Sequence, residues 1–158
     1  MKWARLLLTI PVLLLTAVFG YLYWGAQAEI SVNVETAPAA EHIATYETVA
    51  AAIENGTAAE IYNAQALASA EDCTLVSVKV SMRNPGALPM EWVTCAFTPR
   101  SGDIALYAIE GLPEDISSEE TIHFELQLIR LTDSVMDYPN LTVTYYVAGQ
   151  ELTHVIGG

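Results

Sequence analysis

The sequence predicts a mainly β protein: an N-terminal transmembrane helix, then an antiparallel β-sandwich of about seven strands with one α-helix inserted at about residues 39–54. Three observations predict it. Leu6 to Trp24 contains no charged residue and is apolar almost throughout. From Thr74 onward, apolar residues fall at every second position in short runs separated by turn residues, as half-buried strands require. Between Pro38 and Asn55 the apolar spacing is three and four instead, which gives a helix one apolar face.

At about 1.5 Å of rise per residue, Leu6 to Trp24 reaches roughly 28 Å, close to the hydrocarbon thickness of a bilayer. Lys2 and Arg5 precede it, and the first acid is Glu29. The positive-inside rule then places the N-terminus in the cytoplasm and the remainder outside. Tyr21, Tyr23 and Trp24 gather at the outer end, where amphipathic rings prefer the interface. Pro11 and Gly20 are tolerated in a spanning helix. The expected organisation is a cytoplasmic N-terminus (1–5), a single-pass signal anchor in the cell membrane (6–24), a short linker (25–29) and an extracytoplasmic domain (30–158) with a helical insertion at 38–70. The alternative is a secreted protein cut at Ala28-Glu29, because Ala26-Gln27-Ala28 has the small-x-small pattern of a signal-peptidase site. A run longer than a signal-peptide core, with bulky aromatics just before the site, favours the retained anchor.

The chain beyond the anchor has single-domain length. The whole chain carries −13 formally; Lys2 and Arg5 precede the apolar run and every acid lies beyond it, so the domain carries −15. Such a surface lacks the clustered Lys and Arg that nucleic acid requires, and it disfavours docking on anionic lipid headgroups.

Taken in order, Ile30, Val32 and Val34 alternate with polar residues as a first strand. Ile43, Tyr46, Val49, Ala50 and Ile53 form the apolar face of the helix, with Pro38 at its start and Asn55-Gly56 as its stop. Thr57 to Ala70 reads as a helical turn and loop. Thr74 to Met82 is a long strand ended by Asn84-Pro85-Gly86, and further strands are expected over 91–98, 104–108, 122–128, 141–147 and 152–156. The even alternation implies that each strand buries one side only. The inserted helix is expected to cap an open end of the sandwich. Strand number and pattern over Ile30 to Gly158 resemble the immunoglobulin-like and fibronectin-III-like class, although the antibody-type Cys…Trp…Cys arrangement is absent.

Cys73 and Cys95 are the two cysteines. An extracytoplasmic compartment permits a disulfide between them. Cys73 has the opposite parity to Val76, Val78 and Val80, so it is expected to face outward. If 74–82 and 91–98 pair as a hairpin, Cys95 lies some six positions from Cys73, too far to bridge. Two-sheet geometry or a bulge would be needed to bring them together.

Chemical candidates each meet a structural rival. His42, His123 and His154 have no metal-type spacing. Cys95, His123, His154 and Met136 supply the ligand types of a blue-copper site, yet Phe97-Thr98-Pro99-Arg100 offers neither the His nor the Met that cupredoxins place just after the cysteine. No nucleophile-elbow pattern occurs, and the acids of 114–120 do not match the calcium-loop pattern. The expectation is therefore no enzyme, no metal and no cofactor. Trp92, Tyr107 and Tyr146 have the parity of outward faces, where flat rings stack on sugars or where the helix or a partner covers them. Two functions fit: an accessory interaction module whose edge strands or aromatic face dock another envelope or membrane protein, or a small-ligand or carbohydrate binder using those three aromatics.

Overall fold

The computed structural model describes residues 2–21, 26–133 and 140–157, with side chains of the first helix described from Thr9 onward. In chain order the elements are α1 (Lys2–Gly20), β1 (Glu29–Pro38), a 3-10 turn (Ala39–His42) running into α2 (Ile43–Glu54), β2 (Glu60–Ile61), β3 (Cys73–Arg83), β4 (Glu91–Thr98), β5 (Asp103–Glu110), β6 (Thr121–Leu131), β7 (Asn140–Val147) and β8 (Gln150–Ile156). Two antiparallel sheets result, ordered β1-β3-β6-β5-β2 and β4-β7-β8, which fits a β-sandwich.

Strand parity decides the main core. Val76, Val78, Val80 and Met82 of β3 join Phe124, Leu126 and Leu128 of β6 on the inner face of the larger sheet. They meet Val93 of β4 and Leu141, Val143, Tyr145 and Val147 of β7. Sheets stacked this way bury one face of each strand at roughly 10 Å separation.

One end of the larger sheet departs from that rule. Cys73 and Leu75 of β3, Ile104 and Ala105 of β5 and Ile129 of β6 form a second cluster with Ala39, Val49 and Ile53. Helix α2 therefore lies on the outer face of the five-stranded sheet and does not cap an open end. Cys73 keeps the parity expected of it, but α2 and its flanking turns cover that face, so it is buried. The helix stops as its sequence requires. Gly56 takes a left-handed φ of 67°, and the Thr57 and Gly56 amides donate to the Ala52 (2.8 Å) and Ile53 (3.2 Å) carbonyls. Ile43, expected on the apolar face, sits in the first turn and is exposed.

A hairpin between 74–82 and 91–98, the condition under which Cys95 falls far from Cys73, does not form. β3 pairs with β1 and β6, whereas β4 belongs to the other sheet and pairs with β7. Cys73 and Cys95 are free, one in the cluster beneath α2 and the other packed against the main core. Within 57–70 the chain adds the two-residue β2 beside β5 and a 3-10 turn at Ala64–Ala66.

Among the described residues no helix is long and apolar enough to cross a membrane. Leu22 to Gly25, which include the expected interfacial Tyr23 and Trp24, lie outside the described residues, as does Met136. Within α1, Ile10, Val12, Leu13, Leu14, Leu15, Val18 and Phe19 are each 51–68% exposed.

Candidate functional site

The described residues on either side of the junction between α1 and the sandwich, Tyr21, Ala26 and Ala28, are tied into the domain. Ala26 and Ala28 are buried in the main core. The Ala28 amide donates to the Tyr145 hydroxyl (2.8 Å), which in turn donates to the Ala26 carbonyl (3.5 Å). Just before them, the Tyr21 hydroxyl accepts the amides of Ala87 (2.8 Å) and Leu88 (3.1 Å) in the β3–β4 loop. The small-x-small segment is thus occupied by packing and hydrogen bonds in the folded chain.

That β3–β4 loop is itself locked to the loop before β6. Asn84 is buried, and its amide nitrogen donates to the carbonyls of Leu88 (2.8 Å), Ser117 (3.1 Å) and Ile116 (3.3 Å) while its oxygen accepts the Gly86 amide (2.9 Å). Ser118 Oγ donates to the Gly86 carbonyl, and Met90 and Ile116 exchange backbone bonds. In the sequence Asn84 reads as a turn residue only; its short polar side chain serves both loops because the two sheets bring them to one end.

Trp92 sits on this framework. With Val93 it forms a bulge, two β4 residues against Tyr145 alone between the Glu91 and Thr94 pairings, and its φ is 51°. A left-handed backbone at a bulge is normally glycine's, and a bulky side chain there stores strain. The Asp115 carboxylate accepts the Trp92 amide (3.0 Å) and the Glu114 carbonyl accepts that of Val93 (2.8 Å), which holds the bulge in place. The indole is 63% exposed and meets Tyr146 edge-to-face, centroids 5.4 Å apart at 70°. The Tyr146 hydroxyl donates to Glu151.

Of the three candidate aromatics, the fold brings Trp92 and Tyr146 together and leaves Tyr107 apart. Tyr107 lies on β5 in the other sheet, half-buried against the cluster under α2. Burial raises its hydroxyl pKa, with Glu125 and Glu110 adding to the effect. It lines a groove of about 470 Å³ with His42, Thr45, Glu125 and Gln127. A larger groove of about 760 Å³ crosses the open part of the same face, between Ser31, Asn33, Lys79, Ser81, Glu110, His123 and Glu125. Two of its charged groups have neighbours that engage them: Lys79 pairs with Glu35 (2.6 Å), and Ser77 donates to Glu125 (2.7 Å).

The remaining candidates do not converge. His123 is on β6 and His154 on β8, in different sheets, and His42 is beside α2. Among the described residues no group of three His, Cys, Asp or Glu side chains could hold a metal ion. Burial pushes the Cys95 thiol up to about 11, the opposite of what a nucleophile or metal ligand needs. No protein-family model matches this chain, and no curated protein matches it.

Proposed function

We propose that this protein is a membrane-anchored, extracytoplasmic, immunoglobulin-like interaction module without catalytic activity, an accessory subunit that docks another envelope or membrane protein. The observation that carries the reading is the contrast within its first 28 residues. The described part of α1 exposes apolar side chains on all sides, which suits a lipid surround and not water, while Ala26 and Ala28 immediately after it are core residues. Cutting at Ala28-Glu29 would take both out of the core, which favours retention over secretion.

Strand order supports the finer fold reading. With the two-residue β2 set aside, β1-β3-β6-β5 faces β4-β7-β8, matching the constant-type immunoglobulin order of A-B-E-D against C-F-G. The insertion then lies between A and B. For docking, among the described residues β8 pairs with β7 alone and carries Val155 at 62% exposure, an edge suited to a partner strand.

Affinity purification of the full-length protein from its native membrane in mild detergent tests this reading. A stoichiometric membrane-protein partner, lost when Val155→Glu is introduced, is the expected result. Recovery from the soluble fraction alone, without a partner, refutes it.

A further inference from the structure

Sandwich end and helix exit coincide in this fold, and the exposed Trp92 and half-buried Tyr146 lie at that same end. Given the proposed membrane anchoring, on which this rests, we infer that Trp92, Tyr146 and Leu88 form a second, interfacial contact that lays the domain on a zwitterionic lipid surface.

Geometry comes first. Tyr21, immediately after α1, is held by the amides of Ala87 and Leu88, and Ala26 and Ala28 lie in the core. The helix therefore leaves the sandwich at the end formed by the loops 84–90 and 111–120. Leu88 is 40% exposed on the first of these. Trp92 comes four residues later, no more than about 14 Å along the chain even if fully extended. Tyr146 shares that end, because its partner across the sheet is Glu91 at the start of β4.

Chemistry then selects the occupant. Trp and Tyr favour the headgroup layer because each has an apolar body and one polar tip. The edge-to-face setting at 70° leaves no flat two-ring platform for a sugar, and Tyr107 is on the other sheet. A non-glycine residue held at φ 51° and exposed is a local cost that a contact at this spot accounts for. Glu91, Glu114, Asp115 and Glu151 adjoin the aromatic pair, and Glu119 and Glu120 belong to the loop 111–120, so the surface is suited to neutral headgroups and is repelled by anionic ones.

The test uses the full chain with Trp3→Phe and Trp24→Phe, two changes that precede the sandwich and leave Trp92 as the sole tryptophan. It is reconstituted into phosphatidylcholine vesicles carrying bromine near the headgroup, and vesicle flotation is scored separately. In floating vesicles Trp92 should shift to the blue and lose about half of its emission, and phosphatidylglycerol vesicles should give less quenching. Flotation with unquenched Trp92 overturns the inference while leaving the anchor intact. Failure to float overturns the anchor and the inference with it.

Discussion

Tyr145 and Tyr146 are adjacent on β7, point to opposite faces and should differ in their response to loss of a hydroxyl. Tyr145 is 2% exposed, and its oxygen accepts the Ala28 amide at 2.8 Å while donating to the Ala26 carbonyl. In Tyr145→Phe the ring still fills its place, so the change isolates the hydrogen bonds. A buried amide is left without a partner, which costs about 1–3 kcal/mol. Tyr146→Phe removes only an exposed bond to Glu151 and should stay within about 0.5 kcal/mol of wild type. The assay is urea unfolding of both variants and the parent in detergent. For a denaturant slope of about 1.5 kcal/mol per molar, the Tyr145→Phe midpoint should fall by roughly 1 M with the slope unchanged. Equal midpoints for the two variants would refute the claim that Ala26 to Ala28 belongs to the folded domain.

Further variants probe other parts of the molecule. Asn84→Ala leaves the Leu88 carbonyl and the Gly86 amide without that partner, while the Ile116 and Ser117 carbonyls keep the Met90 and Glu120 amides, and should cost about 1–3 kcal/mol, read as a lowered unfolding midpoint. Arg130→Met removes the cationic neighbour (3.5 Å) of buried Asp103 and should destabilise by about 3–5 kcal/mol in the same assay. Trp92→Gly should be more stable than Trp92→Ala by about 1–2 kcal/mol, because only glycine adopts the left-handed bulge without strain; the reverse order of stabilities would contradict strain at this position. Cys95 supplies a pH dependence. The folded thiol holds its proton to about 11 against an ordinary 9.0, so the unfolded chain loses that proton first. Stability present below pH 9 should decline as the pH rises toward 11. Cys95→Val should flatten that decline between about pH 9 and pH 11, measured by urea midpoints.

The sequence made the strands legible because alternation is local: Val76-x-Val78-x-Val80 states its own inner face without knowledge of its neighbours. Helix α2 was legible for the same reason, from Tyr46, Val49 and Ile53 to the Asn55-Gly56 stop. Pairing is not local, so alternation could not tell whether β3 and β4 pair as a hairpin or lie, as they do, in different sheets. The position of α2 had a faint signal in the consecutive apolar pairs Leu75-Val76 and Leu128-Ile129, where two faces are buried at once. At the candidate site, the parity of Trp92 and Tyr146 pointed outward correctly, and their contact depends on the β4–β7 register. The left-handed φ of Trp92 and the burial of Ala26 and Ala28 carried no signal, since the first depends on Asp115 in a distant loop and the second on Tyr145.

The central claim, a domain held at a membrane by a retained N-terminal helix and with Ala26 and Ala28 in its core, is tested most directly by the intact mass of the native protein after high-pH extraction of its membranes. The expected result is a membrane-resistant chain that still carries the residues before Glu29. A soluble chain beginning at Glu29 would contradict it.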